Sequence, residues 1–338
     1  MGSYVGIDLH RRRSVVVVLN EDGDRVSWCR IDNTAANLAA EIVSAGGSEA
    51  EVAMEACWGW YWAADVIAEC GARLHLAHPL GIAGYENRRV KNDIRDATLL
   101  ADLLRLGRLP EAWVAPPEVR ELREAVRYRA KLSRLRSGLK QQVHQTLGKE
   151  GVIPEVDSIW RGGGQRWLDE LQLGDVYVDR IESLRDLIEL YDREIGQCDA
   201  RIHRRLKGHP GYEAIQALRG VGPVLAAVFV AEIGDVGRFD NPRRLCSWAG
   251  LTPRLRESDA HSHRGHITKM ECGGAGLARR FGLSFGGDCD DRWRYRHPSG
   301  PADLRLCRSG HGRGPRRAGD AGAPRPVARL VGAVPRGR

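Results

Sequence analysis

Tyr4-Val5-Gly6-Ile7-Asp8-Leu9 is an apolar run interrupted by one acid, and how it is read decides the fold. Its length and apolar content predict a buried strand. Ser14-Val15-Val16-Val17-Val18-Leu19 predicts a second strand and residues 25–31 a third. Between the last two, Glu21-Asp22-Gly23-Asp24 is a hairpin signal, because Asp-Gly supplies the positive φ of a tight turn. Asp22 and Asp24 are therefore read as turn residues. Working outward, a helix is expected over Thr34–Ala45, a strand over Val52–Glu55, a helix over Trp58–Glu69 and a fifth strand over Arg73–Ala77. Three antiparallel strands followed by alternating helix and strand make a mixed α/β sheet, an order compatible with a ribonuclease-H-like fold.

Within that frame four acids stand out. Asp8 sits near the end of the first strand, Glu55 closes Val52-Ala53-Met54-Glu55, and Asp93 and Asp96 lie three apart in Lys91-Asn92-Asp93-Ile94-Arg95-Asp96-Ala97. A carboxylate at the end of a buried strand carries a desolvation cost unless a cation offsets it. Two strand-borne acids plus two at helical spacing suggest oxygen ligands for Mg²⁺ (or Mn²⁺), which pairs carboxylates with substrate phosphates and stabilises attacking and leaving oxygens. Metal-dependent cutting of nucleic acid is the chemistry this set implies.

Composition excludes several classes. The longest apolar stretch, Val224 to Ala231, is too short to span a membrane, and the N-terminus carries no signal-like segment, so a soluble cytoplasmic, nucleoid-associated protein is expected. The eight cysteines show no Cys-x-x-Cys and no zinc spacing, and read as reduced packing thiols. The net charge of +8 is misleading as a nucleic-acid signature. Residues 1–271 hold 38 basic and 39 acidic residues, whereas from residue 272 onward there are fourteen Arg, five Asp and no Lys.

Beyond the sheet, Asp96–Leu106 predicts an amphipathic helix, and Leu109-Pro110 with Ala115-Pro116-Pro117 a boundary. A long helix over Glu118–Lys149 carries a stripe of basic residues from Arg120 to Lys140, read either as a solvated face or as a DNA-backbone contact. A second, about 177–206, places Ile181, Leu184, Ile188, Tyr191, Ile195, Cys198, Ile202 and Leu206 at heptad spacing, fitting either an intramolecular hairpin or a dimer coiled coil. Next, Leu218-Arg219-Gly220-Val221-Gly222-Pro223 reads as two helices joined by a Gly-x-Gly turn, where Gly220 and Gly222 would offer backbone N–H groups to a phosphate. After Met270 the apolar period collapses and about half of the residues are Gly, Arg or Pro. A disordered or out-of-frame segment is expected there, with a genuine Arg/Gly-rich nucleic-acid tail as the rival. The expected division is 1–112 (nuclease domain), 113–208 (long-helix connector), 209–271 (helical domain, incomplete) and 272–338 (tail).

These residues resemble the transposases of the insertion sequence 110 family, kin of the Piv-type DNA invertases. The resemblance runs from Tyr4 to about Met270. It rests on Val5-Gly6-Ile7-Asp8, Met54-Glu55-Ala56 and Lys91-Asn92-Asp93-Ile94-Arg95-Asp96-Ala97, then on Leu218-Arg219-Gly220-Val221-Gly222-Pro223, Glu232-Ile233-Gly234-Asp235-Val236-Gly237-Arg238-Phe239, Trp248-Ala249-Gly250-Leu251-Thr252-Pro253 and Arg264-Gly265-His266-Ile267-Thr268-Lys269. It implies a RuvC-like nuclease domain whose tetrad is Asp8, Glu55, Asp93 and Asp96, and a serine nucleophile at Ser258, with Ser262 as fallback. Arg254, Arg256, Arg264 and Lys269 would then neutralise DNA phosphates. It also implies a guide RNA pairing with donor and target DNA, and a homo-oligomer (dimer or tetramer) that joins domains of different protomers. Family members continue past Ile-Thr-Lys with further amphipathic helices, which this chain replaces by its tail. Two other readings stay open: a RuvC-like structure-specific nuclease in which water attacks, and an inactive remnant that binds nucleic acid.

Overall fold

The structure, a computed structural model, describes residues 2–85, 92–156, 158–258 and 261–267. The chain divides into two units, Met1–Ser284 and Phe285–Arg338, and all of the described residues belong to the first.

Strands β1 (Ser3–Leu9), β2 (Arg13–Leu19) and β3 (Arg25–Asp32) form an antiparallel meander. Its second turn is closed by Gly23 at φ 90°, whose N–H donates to the Asn20 carbonyl, as the Asp-Gly signal requires. Helix α1 (Ala35–Ser44) follows, with the Thr34 side chain capping Asn37 N–H. Strand β4 (Ala50–Glu55), helix α2 (Trp60–Glu69) and strand β5 (Arg73–Ala77) come next, β4 pairing parallel to β1 and β5 parallel to β4. A short turn of helix α3 (Pro79–Ile82), helix α4 (Asp93–Arg105) and the two-residue strand β6 (Glu111–Ala112) complete a six-stranded sheet of order β3-β2-β1-β4-β5-β6. This mixed sheet with a mostly helical remainder fits a ribonuclease-H-like domain, as expected.

Alternation assigns the two faces. Val5, Ile7, Leu9, Val16, Val18, Val52 and Met54 point to one side and bury Leu38, Ile42, Ala63 and Ile67 of α1 and α2. Val15, Val17 and Leu19 point to the other and meet Ala97 and Ala101 of α4. Asp8, out of phase with Ile7 and Leu9, falls on the α4 face. Gly6 lets α4 lie directly on β1, because a Cβ there would stand 1.9 Å from the Ala97 carbonyl oxygen and 2.9 Å from the Ala101 amide nitrogen.

Helix α5 (Pro117–Lys149) then runs antiparallel to α7 (Asp175–Leu206), with the short α6 (Gly163–Asp169) at the tip of the hairpin. The heptad residues of α7 are spent inside the chain: Ile181, Leu184 and Ile188 pack with Val143 and Leu147, Ile195 and Cys198 with Leu132, and Ile202 and Leu206 with Leu122 and Val126. Those seven side chains are buried. The hairpin reading of the seam is the one the structure shows, and a dimer through that same seam would have to open it.

Most of the basic stripe on α5 is engaged in ion pairs within the chain, while Lys131 and Arg134 are exposed. Arg120 pairs with Asp65 and donates to the Tyr61 carbonyl, Arg127 holds Glu232 through two 2.8 Å bonds, Arg129 holds Asp199, and Arg136 pairs with Asp192. Most of the stripe thus fastens α5 to α2, α7 and the helix that carries Glu232.

That helix is α9 (Pro223–Ile233), preceded by α8 (Pro210–Gln216) and followed by α10 (Pro242–Trp248). The turn before α9 contains Gly220 at φ 91° and Gly222 as N-cap, as the Gly-x-Gly signal predicts. One element departs from expectation. Strands β7 (Pro253–Ser258) and β8 (His261–Ile267) form a hairpin within the stretch 209–271 expected to be helical, so the C-terminal part is not purely helical.

Candidate metal centre

Asp8 and Glu55 end adjacent parallel strands. The β1–β4 ladder closes at Ile7 opposite Met54, so the two acids stand one residue further on, on neighbouring strand ends and on the α4 face. Asn92 starts α4 by accepting the Ile94 N–H at 3.0 Å, which places Asp93 and Asp96 in the first turn. With α4 seated on Gly6, that turn lies beside Asp8.

The contacts that result are short. His10 Nε2 is 3.1 Å from Asp8 Oδ2 and 3.7 Å from Asp93 Oδ1, and Arg30 Nη2 is 3.5 Å from Asp93 Oδ2. Ligand atoms of Asp8, His10 and Asp93 all lie within 4.8 Å of one another, the spacing a single ion needs. Burial pushes the Asp8 carboxyl above its ordinary value; His10 pulls it back, and the charges of Asp93 and Asp96 push it up again. The Cys57 thiol is raised chiefly by burial and also by the charges of Glu55 and Asp8, so the turn after β4 closes against the same acids. Asp93 and Asp96 therefore converge electrostatically on Asp8, and Glu55 shares its end of the sheet. Among the described residues the close ligand group contains Asp8 and Asp93 with His10, and does not include Glu55 or Asp96.

His10 is the residue sequence reasoning missed. The signal was present: in Asp8-Leu9-His10 the alternation that turns Asp8 toward α4 brings His10 to the same side. Its backbone is also fixed. Ser14 Oγ donates to Asn33 Oδ1 at 2.6 Å, Asn33 Nδ2 donates to the His10 carbonyl at 2.6 Å, and the Asn33 N–H donates to the Arg12 carbonyl at 2.9 Å.

The remaining candidates lie elsewhere. Ser258 is the last residue of β7, opposite His261, while Arg254 and Arg256 sit along β7 and Arg264 on β8. Ser262 pairs with Glu257 in the same hairpin, and Lys269 lies outside the described residues. Asp8 and Asp93 lie together with His10, Asp96 acts on Asp8 through its charge, and Glu55 ends the neighbouring strand; Gly220, Gly222 and Ser258 belong to the C-terminal elements.

Comparison with known proteins bears on both regions. Residues 5–150 match the family model described as "Transposase", a DEDD transposase domain of IS110, and residues 212–274 match the one described as "Transposase IS116/IS110/IS902 family". A putative transposase of Sinorhizobium fredii is 30% identical over 300 residues, covering 88% of this chain and 72% of the relative. The chain belongs to the IS110/IS116 transposase family. A probable family 20 transposase of Pseudomonas aeruginosa is 25% identical across 64% of this chain and 65% of its own length. The insertion element IS116 44.8 kDa protein of Streptomyces clavuligerus is 25% identical across 78% and 79%. Coverage of 88% carries the Sinorhizobium match past Met270 into the Gly/Arg-rich segment. For an IS110/IS116 transposase the DEDD domain suggests use of a divalent metal, and the Asp8, His10 and Asp93 group offers a place for one. No helix among the described residues is long and apolar enough to cross a membrane.

Proposed function

We propose that this transposase cuts and rejoins DNA by metal-assisted phosphoryl transfer with Ser258 as nucleophile. The observation that supports it best is the convergence of Asp8, Asp93 and His10 at one strand end, with Asp96 and Glu55 beside them. The donor set, carboxylate oxygens and one imidazole, suits Mg²⁺ or Mn²⁺, and Asp8 held above its ordinary pKa has negative neighbours that a cation would relieve. Asp8, Glu55, Asp93 and Asp96 would hold the ions, with His10 as a further ligand or as hydrogen-bond partner to Asp8. When bound, the metal polarises the scissile phosphate and stabilises charge on its oxygens.

The chain's own residues do the rest. Gly6 and Asn92 position α4 so that its first turn faces β1, and Asn33 fixes the turn carrying His10. Ser258 would attack phosphorus, forming a phosphoserine link and releasing a 3′ or 5′ hydroxyl that takes up the proton. Arg254, Arg256, Arg264 and Lys269 would neutralise the flanking phosphates. The turn at Gly220 and Gly222 would bind a phosphate through backbone N–H groups at the start of α9. We assign 1–112 to the nuclease domain, 113–208 to the connector and 209–271 to the serine domain. A guide RNA would read donor and target by base pairing, leaving the protein to recognise backbone and shape, and a homo-oligomer would bring the two catalytic parts together.

Cleavage of a DNA substrate in Mg²⁺ tests the metal half. Asp8→Asn and Asp93→Asn should each abolish it; cleavage that survives Asp8→Asn would remove the metal site from the mechanism. Cleavage lost in Asp8→Asn but retained in Ser258→Ala would instead select a nuclease in which water attacks. Retained DNA affinity with neither cutting nor joining would select an inactive remnant. For the segment after Met270, a frame change predicts an amphipathic helical pattern in another forward frame beyond codon 270.

A further inference from the structure

The carboxylate cluster poses an electrostatic problem for its substrate. Four acids with one histidine repel a polyanion, so a strand entering there needs cations nearby that are not already neutralised. On α5, Arg120, Arg123, Arg127, Arg129 and Arg136 are engaged in internal ion pairs, and Arg134 is left exposed. At the β1–β2 turn the situation differs. Arg13 donates to Asp32 at 2.9 Å, but Arg11 and Arg12 are exposed, and neither side chain has an ion pair or hydrogen bond among the described residues. They follow His10 directly, and the Asn33 clamp described above holds the turn that carries them. A fixed backbone beneath two unpaired cations reduces what ordering a ligand against them would cost.

The same face continues along the sheet edge. Asp8 pairs with Val15 and Val15 with Arg30, so Asp8 and Arg30 lie in one row across three strands. Arg30 reaches Asp93 at 3.5 Å while remaining half exposed. Two residues along β3, Trp28 stands opposite Val17 on the α4 face and is 48% exposed. A large ring left half in water at a sheet edge, next to an arginine, offers a flat surface on which an unstacked base can lie.

We propose that Arg11, Arg12 and Trp28 form a track for one DNA strand beside the carboxylate cluster, Arg11 and Arg12 holding phosphates and Trp28 stacking on a base, with Arg30 held to Asp93 along the same face. This rests on reading the cluster as the site of phosphoryl transfer. The basic residues assigned on β7 and β8 would act on the other side of the scissile phosphate. Because the track consists of backbone contacts and stacking, it confers affinity without sequence preference.

The test is equilibrium binding of the full chain to a fluorescent single-stranded DNA oligonucleotide in EDTA, across a salt series. Arg11→Ala/Arg12→Ala should lower the salt slope by about 1.4, two phosphate contacts at about 0.7 each. Arg13→Ala should leave the slope at the parent value, since its charge is already paired. Trp28→Ala should weaken binding by roughly tenfold with the slope unchanged, and Trp28→Phe should restore most of it. Comparing each variant with the parent isolates these residues from the arginines of the tail. Affinity and slope unchanged in the double variant, or lowered equally by Arg13→Ala, would overturn the inference. Binding in EDTA is independent of the metal site, whose failure would instead show as cleavage surviving Asp8→Asn.

Discussion

At the scale of the residue, Asp8 sets the behaviour of the centre. Its ordinary value is 3.8, and burial together with Asp93 and Asp96 raises it in the fold. A raised carboxyl binds its proton more tightly folded than unfolded, so without metal it favours the fold at low pH and opposes it as pH rises through the folded value. Metal-free Asp8→Asn should therefore be more stable than the parent at neutral pH, with the difference vanishing below the ordinary carboxylate range. With Mn²⁺ present the order should reverse, because only the parent gains binding energy. Urea unfolding at several pH values, with and without Mn²⁺, checks both signs. Gly6 matters for a steric reason. Gly6→Ala places a methyl group against the α4 backbone and should cost about 3 kcal/mol or more, measured by the same unfolding. Asp8 was legible as an interruption in an apolar run, whereas Gly6 and His10 were not read, although carrying the strand alternation one residue past Leu9 would have found His10.

At the scale of the element, the helices and strands follow their apolar periods closely. β5 spans Arg73–Ala77 as read, and α4 and α7 begin only a few residues before the expected positions. What the period could not show is the partner. The α7 heptads specify a seam but not whether it closes within a chain or between chains, and the structure closes it on α5. Ile195→Ala should thus destabilise the fold by about 3 kcal/mol in chemical denaturation and leave the sedimentation behaviour of the folded protein unchanged. The basic stripe hid its partners for a related reason: Asp65, Asp192, Asp199 and Glu232 are distant in sequence, so a run of arginines looked unpaired. Glu232 is buried with 7% of its side chain exposed, and Arg127→Ala should cost about 2 kcal/mol, less than a fully enclosed pair because Arg127 is 39% exposed. A double-mutant cycle with Glu232→Gln reads that coupling. The β7–β8 hairpin was obscured by its polar residues, which give no inside-outside alternation to read.

At the scale of the whole molecule, the proposed function sets two chemistries on two parts of one chain: a carboxylate centre on the sheet, and Ser258 on a hairpin far along the sequence. Neither composition nor net charge pointed to this, because the basic excess resides after residue 271 and the rest of the chain is close to neutral. Both parts fall within regions that match transposase family models, and the proposal that they act on one phosphate stands or falls on a covalent bond. Incubating the full chain with a DNA substrate in Mg²⁺, then digesting and analysing the peptides by mass spectrometry, looks for that bond directly. The account predicts a nucleotide linked to the peptide containing Ser258, absent in both Ser258→Ala and Asp8→Asn. An adduct that persists in Ser258→Ala, or Mg²⁺-dependent strand joining by that variant, would contradict it.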